Sequence, residues 1–506
     1  MEPSVPSFKI WDRPWIWTLL AAHVVLWTIL PWTLEHSLRL DAAEGAFGGL
    51  EWQLSYIKHP PLSEWLTAIA WYAGPFRYGA VYAISQLLVV TAVFISARFV
   101  QRLHGDKAAL IVVILGLVSP FATYIPIQLN HNISVMPFWA LTLVTAWFAF
   151  ESDRIKPWIA FGLAVAVGIW AKYSVLHLVA GLGVAFLLVP TWRARLLTPG
   201  PWIAAVTGLV VISPHVWDIW RKGFTTLHYA LHTSQMTWTE LAGFSGNMLM
   251  NCLLLFGFAG LLGGLIVGWA PLQTAVSRIL DPRRMTRLDI LVHAALLGPI
   301  IVMVAAPAFE VRARPLWMTP LIIPVIVWWG QCLGAVGATL SVQRAMRVGV
   351  AVMGVFVVAY IIQQQGIPVD KRRYAAMDGP ALADLATRFW SARAKGPIPY
   401  IVTVITQGER QAAGSIAFDL PYRTHVFETG SLVLSPWVDP ADLRARGAIV
   451  VALEGIPAGF LVAGRNVSET ETFPRPLVRK GRALPVTFGF IAPEGANAAP
   501  QGALVK

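Results

Sequence analysis

Apolar and polar positions alternate along the chain on the scale of membrane crossings. About eleven apolar runs, at 14–34, 79–99, 107–124, 134–150, 157–173, 175–191, 201–219, 248–270, 289–308, 316–335 and 347–363, are broken by short polar segments. A helix rises about 1.5 Å per residue, so roughly 20 apolar residues cross a hydrocarbon core about 30 Å thick. Beyond residue 363 the pattern changes. Helix-like stretches (381–394, 439–446) alternate with short apolar runs (400–405, 448–453, 486–491), the signature of a small α/β domain. The expected architecture is an α-helical polytopic membrane part over 1–363 and a C-terminal α/β domain over 364–506. The first run follows Lys9 and Arg13 and precedes no small-x-small cleavage site, so it reads as a retained signal anchor rather than a cleaved signal peptide.

Composition supports the membrane class. Hydrophobic residues make up 56% of the 506 positions and charged residues 13%, about half of the roughly 25% usual in soluble domains. With the N-terminus inside, fifteen Lys and Arg fall on inner segments. Eight fall on outer ones: Arg39, Lys58, Arg77, Lys172, Arg221, Lys222, Arg312 and Arg314. That bias assigns the formal net charge of +12 to topology in a bacterial inner membrane rather than to nucleic-acid binding. The loops 35–78 and 220–247 and the tail are then expected on the periplasmic side. Cys252 and Cys332 lie within spans and exclude a disulfide framework.

The loop 35–78 gathers most of the ionisable chemistry. Wound as a helix over Leu40–Leu54, it carries Asp41, Glu44 and Glu51 on one face and Ala43, Phe47, Leu50 and Leu54 on the other. Such a helix is expected to turn its apolar side to lipid or the spans and its carboxylates to a cavity. Tyr56-Ile57-Lys58-His59-Pro60-Pro61-Leu62 follows, and the double proline fixes the backbone beside Lys58 and His59. Carboxylates, a lysine and a histidine at one membrane edge suit proton transfer and phosphate binding. A solvated acidic surface helix is the plainer alternative.

An acidic pair in the first outer loop followed by a basic-Pro-Pro-Leu turn resembles the GT-C glycosyltransferases. More narrowly it resembles the branch holding protein O-mannosyltransferases and the aminoarabinose and galacturonic acid transferases that modify lipopolysaccharide. The resemblance runs over about 10–360 and includes Asn130-His131-Asn132, Trp170-Ala171-Lys172-Tyr173, Pro214-His215-Val216-Trp217-Asp218 and Arg312-Ala313-Arg314. It implies transfer of a sugar, with inversion, from a polyprenyl-phosphate donor to a lipid, glycan or protein acceptor. By the same resemblance Asp41 is the catalytic carboxylate and Glu44 its partner. Lys58, Arg312 and Arg314 neutralise the departing donor phosphate. His59 and Lys172 are further candidates for that phosphate, with snorkelling to the interface the alternative for Lys172. Tyr56, His131, Asn132, His215 and Asp218 are candidates for acceptor or substrate contact, with an interfacial anchor beside Trp217 the alternative for His215 and Asp218. Lys58-His59 stands where the aminoarabinose-transferase pattern has Glu-Lys, and Asn132 where many relatives carry aspartate. No cofactor is required, and a divalent metal is an alternative without support in the sequence.

Other readings remain open at this point. His228 and His232 have a spacing that can chelate zinc, though loop histidines of no special role are the commoner case. A multi-span transporter or flippase would share the spans, but it normally places paired ionisable residues near the bilayer midplane. Here they gather at outer ends and loops.

Overall fold

The computed structural model describes residues 9–226, 237–309, 315–334, 340–366, 377–404, 407–476 and 485–494. Its helices follow the apolar runs. In chain order α1 (Pro14–Leu34), α2 (Leu40–Gly49) and α3 (Leu62–Trp71) lead to the long α4 (Arg77–His104) and to α5 (Asp106–Leu117). One turn at α6 (His131–Ser134) runs into α7 (Met136–Phe150), followed by α8 (Ile155–Ala171), α9 (Val175–Leu188), α10 (Pro190–Arg193) and α11 (Pro199–Arg221). After residues 227–236, α12 (Trp238–Val267), α13 (Trp269–Ile279), α14 (Arg287–Ala305), α15 (Ile322–Gly334) and α16 (Val342–Gly366) complete the bundle.

Among the described residues, eight helical segments are long and apolar enough to cross a membrane. The remaining three of the eleven expected spans correspond to α5, α8 and α9. The first two are shorter than a full crossing, and α9 bends by 100° into the segment that follows. All ten described residues of α5 from Ala108 to Leu117 are buried, as befits a helix enclosed by others rather than facing lipid. α2, α3 and the connections before α6, after α8, after α11 and before α15 meet at one end of the bundle.

The C-terminal unit packs on that same end. It holds α17 (Gly379–Ser391), β1 (Tyr400–Thr403), α18 (Gln407–Asp419), β2 (His425–Phe427), α19 (Pro440–Arg446), β3 (Ala448–Ala452), β4 (Leu461–Val462), β5 (Arg465–Asn466), β6 (Glu469–Pro474) and β7 (Pro485–Ile491). Five strands form one sheet in the order β2-β1-β3-β7-β6. The first three are mutually parallel, with Val402 opposite both Phe427 and Val450, and β7 pairs antiparallel with β3 and β6. Side chains alternate across the strands. Ile401, Ile449 and Val451 join Phe389, Trp390, Ala413 and Phe488 on one face, while Tyr400, Val402 and Val450 meet Leu443 and Val462 on the other. The sequence pattern anticipated α17, α19, β1, β3 and β7 to within a few residues; α18, β2, β4, β5 and β6 were not anticipated.

The first loop departs from expectation in two ways. Its helix stops at Gly49, where Glu51 and Trp52 close turns onto Gly48 and Gly49 and Trp52 takes a positive φ of 48°. Glu51 therefore lies off the helical face assigned to it. The apolar face does not look toward lipid. Phe47 enters the core of the C-terminal unit, while Phe418 of α18 joins the cluster around Ala42, Ala43, Ala46, Tyr78 and Tyr82. A side chain at Gly414 would come within 2.5 Å of the Ala43 carbonyl oxygen, so the two helices meet backbone to backbone. At Gly49 a Cβ would sit 1.9 Å from the Glu64 carbonyl oxygen, which presses α2 equally closely on α3.

Candidate active site

The acidic helix is fixed from both ends. Before α2, Arg39 pairs with the buried Glu35 through Nη2 at 2.6 Å, and Glu35 also accepts hydrogen bonds from Tyr360 Oη (2.8 Å) and Gln364 Nε2 (3.0 Å) of α16. After α2, Tyr56 folds back. Its hydroxyl donates to the Gly48 carbonyl at 2.7 Å and accepts from the Gln53 amide at 3.2 Å. The Tyr56 amide donates to the His59 carbonyl, closing the turn ahead of the double proline. Tyr56 is thus buried in the loop's own framework.

Asp41 lies half-buried in the first turn of α2. Asn130 Nδ2 donates to its Oδ2 at 3.0 Å. The other side-chain atom of Asn130, Oδ1, accepts from the amides of Asn132 (3.0 Å) and Ile133 (3.2 Å) and so caps α6. One asparagine thereby ties the carboxylate to a helix N-terminus, where partial positive charge favours an anion. Lys172, just past the end of α8, donates from Nζ to the Asn132 side-chain oxygen. Its Nζ lies 5.3 Å from the Trp317 ring centroid; burial lowers its pKa to about 7, against the opposing attraction of Asp41. His131 Nε2 donates to Glu64 Oε2 at 2.8 Å, and the His59 ring stacks on that of His131 with centroids 4.0 Å apart. Burial first, and then His131, Lys172 and Lys58 around it, drive the His59 pKa well below its ordinary value and keep that ring neutral.

Glu44, one turn further along α2, meets different company. Lys58 Nζ donates to both of its carboxylate oxygens at 2.8 Å. From the C-terminal unit, Arg410 Nη1 of α18 lies 3.5 Å from Glu44 Oε1, and Arg410 Nε forms an ion pair at 2.9 Å with Glu428 Oε2. Glu51 is likewise claimed by that unit, through Arg423 Nη2 (3.0 Å) and His425 Nδ1 (2.8 Å).

His215 and Asp218 hold the loop down onto α11. His215 Nδ1 donates to the Leu54 carbonyl (2.6 Å) and its Nε2 accepts from Tyr173 Oη (2.8 Å). Asp218 receives Ser55 Oγ (2.8 Å), Lys222 Nζ (2.7 Å) and Arg221 Nη2 (3.1 Å). Neither makes a recorded contact with the Asp41 cluster. Arg312, Arg314, His228 and His232 lie outside the described residues. Among the described residues no group of three or more His, Cys, Asp or Glu side chains is arranged to hold a metal ion.

The structure therefore joins Asp41, His59, His131, Asn132 and Lys172 in one corner and Glu44 and Lys58 in the next. It adds four residues to the sequence-based set: Asn130, Glu64, Arg410 and Glu428. Only Asn130 left a legible signal, a helix-capping residue type at the start of a span.

A carboxylate beside basic side chains at one end of the bundle suits proton transfer and anion binding, and comparison with known proteins narrows the chemistry. Residues 58–218 match the dolichyl-phosphate-mannose-protein mannosyltransferase family. The lipopolysaccharide core galacturonosyltransferase RgtB of Rhizobium johnstonii is 25% identical over 357 residues, 69% of this chain and 70% of that protein. The lipid A galacturonosyltransferase RgtD of the same organism is 22% identical over 302 residues, 59% of this chain and 61% of that one. The fold matches ArnT from Cupriavidus metallidurans, solved with undecaprenyl phosphate, at a TM-score of 0.61 and 14% identity. That match covers 94% of this chain and 98% of ArnT.

The chain is a membrane glycosyltransferase similar to the GT-C enzymes of the protein-mannosyltransferase and galacturonosyltransferase type, with the fold of ArnT.

It is a polytopic membrane enzyme with a small C-terminal sheet unit. The family match begins at Lys58 and takes in His59, Glu64, the Asn130–Asn132 turn, Lys172, His215 and Asp218. Asp41 and Glu44 precede the matched stretch.

Proposed function

We propose that this glycosyltransferase moves a sugar, a galacturonosyl unit as in its named relatives, from a polyprenyl-phosphate donor to lipid A or the lipopolysaccharide core. The reaction would run with inversion on the periplasmic face of the inner membrane. The observation that carries the reading is Asp41: a carboxylate restrained by one neutral amide, at the N-terminus of α6 and beside Lys172.

In this reading the acceptor oxygen attacks the anomeric carbon from the face opposite the phosphate. The bond from that carbon to the phosphate oxygen breaks, and its electron pair leaves on the polyprenyl phosphate. Asp41 takes the proton of an acceptor hydroxyl, or orients an acceptor that is already anionic. Negative charge grows on the departing phosphate, so fixed cations there favour the transition state over the ground state. Lys172 and Lys58 are assigned that task, with Arg312 and Arg314 from the segment ahead of Trp317 and with neutral His59 as a hydrogen-bond donor. Arginine engages phosphate as a planar fork, so Arg314→Lys should lower turnover even though charge is kept.

The test is mass spectrometry of envelope lipids from cells with and without the gene, repeated with purified enzyme and a polyprenyl-phosphate galacturonic acid donor. The expected result is the loss of one hexuronic acid residue from lipid A or core, restored by the wild-type gene. Identical lipid profiles in both strains, with no transfer in vitro, would reject the reading.

A further inference from the structure

The C-terminal unit reaches the site through two residues, Arg410 and Glu428. Arg410 sits in the first turn of α18, just after β1, and Glu428 directly follows β2. Strands β1 and β2 are adjacent and parallel, so both residues stand at carboxyl ends of neighbouring strands. The order β2-β1-β3 puts the change of direction between β1 and β3, so Arg410 follows a strand that flanks it while Glu428 follows the strand beyond. Open α/β sheets bind ligands in the crevice at such a point. Through Arg410 the C-terminal unit meets Glu44 of the first loop.

The polar contacts of this pair are informative. Glu428 is buried, and its backbone is held from two sides. Its amide donates to Ser435 Oγ at 2.9 Å, and the next amide, of Thr429, donates to Thr403 Oγ1 at 3.0 Å. Thr429 takes a φ of 52°, a left-handed conformation that costs a β-branched residue energy and that surrounding structure must impose. So braced, the Glu428 carboxylate forms an ion pair with Arg410, its Oε2 2.9 Å from Nε, in which neither of the two buried atoms makes a hydrogen bond. Arg410 Nη1 is 3.5 Å from Glu44, close enough for an ion pair but long for a hydrogen bond. Arg410 Nη2 has no recorded partner among the described residues and is not sealed from solvent. The guanidinium is therefore pinned along one edge and open along the other. Glu44 does not depend on it, since Lys58 already covers both carboxylate oxygens.

We infer that Arg410 is the residue that reads an oxyanion on the acceptor, a phosphate or a sugar carboxylate, and that Glu428 is its positioning residue. This rests on the proposed transfer to an envelope glycolipid and adds how that acceptor is chosen. The donor's phosphate must stay at the membrane edge with its tail in lipid, on the side of Lys172. Arg410 approaches from the C-terminal unit, where a hydrophilic head group rather than a lipid-anchored phosphate arrives. Displacing the weak Glu44 contact leaves a bidentate edge for the incoming oxyanion.

The experiment is a binding titration without donor, using the full-length enzyme in nanodiscs. The probes are bis-phosphorylated lipid A, the same lipid A dephosphorylated, and a dephosphorylated core fragment whose only charges are sugar carboxylates. Wild type should bind at least one charged probe more tightly than the uncharged lipid, and which one identifies the oxyanion. Arg410→Ala should weaken that probe on the order of tenfold, the loss of one charge-assisted pair, and leave the uncharged lipid unchanged. Arg410→Lys, which keeps the charge and the fold but not the fork, should fall between. Glu428→Gln should weaken the charged probe without altering KM for donor in the transfer assay. Equal binding of all three probes by wild type would overturn the inference. So would charged-probe binding by Arg410→Lys and Arg410→Ala that equals wild type, or a rise confined to donor KM. Because the titration involves no transfer, a protein that discriminates the probes but moves no sugar refutes the proposed reaction and leaves the role of Arg410 standing.

Discussion

Asp41 and Glu44 are two carboxylates one helical turn apart on the same face of α2, yet their surroundings oppose each other. Asp41 accepts one hydrogen bond from a neutral amide, while Glu44 accepts two from an ammonium and faces a guanidinium. A general base must keep a lone pair available at the moment of proton transfer. A carboxylate already surrounded by cations has given up most of that capacity and gained a fixed position instead. On the proposed reading one helix holds a reactive group and a structural one three residues apart, and the difference lies in what the neighbouring elements bring, not in the carboxyl groups.

The comparison breaks most directly at Asp41. Asp41→Asn keeps the shape and removes the basicity, and transfer should fall by a factor on the order of 10² or more, as when a general base is lost. Turnover within a few-fold of wild type, at equal protein level, would erase the distinction. Asn130→Ala should follow, with kcat lowered on the order of tenfold because the carboxylate loses its orientation, and acceptor binding unchanged by titration. Glu44→Gln should cost less, about threefold to tenfold and mainly in KM, since Lys58 then has only a neutral oxygen to hold. A loss equal to that of Asp41→Asn would instead make the two carboxylates partners in catalysis.

The smallest expected effect concerns how the C-terminal unit sits. Asp419 accepts a hydrogen bond from Tyr78 Oη at 2.6 Å. Burial pushes its carboxyl from 3.8 up to about 7. Tyr78 and Arg77 pull it back down, and Asp378 and Asp384 add to the rise. A carboxyl whose folded pKa exceeds its unfolded one costs nothing below about pH 4 and its full penalty above about pH 7. The wild-type melting temperature should therefore drop relative to Asp419→Asn as pH rises across that window, by a few degrees. Parallel melting curves for the two proteins from pH 4 to 8 would remove Asp419 from the account.

How much of this was legible beforehand follows from the range of each interaction. Spans are local in sequence, so apolar run length was enough to find α1, α4, α7, α11, α12, α14 and α16. The acidic helix and the Lys58-His59 turn are local too, and they were found together. The end of α2 was misjudged because two consecutive glycines and the positive φ at Trp52 outweigh a hydrophobic period that continues to Leu54. Glu64 could not be linked to His131, 67 positions away, nor Arg410 to Glu44, because nothing in either neighbourhood encodes the other. The tail's α18 carries too few apolar residues at helical spacing to announce itself. Its buried face is largely alanine and glycine, which suits a close helix contact and gives little hydrophobic signal.

The wedging of α2 between two cores also bears on how the enzyme is made. The chain emerges from its N-terminus, and the helix carrying Asp41 is synthesised several hundred residues before α17 and α18, which cover its apolar side. At about 5–20 residues per second, that interval is on the order of tens of seconds. Throughout it Phe47 lacks the core it will enter, and every later span must be inserted while it waits. Glu44, which faces Arg410 of α18, thus reaches its final setting only near the end of biosynthesis. A chain cut short before residue 419 would carry every spanning helix and still have an unfinished site.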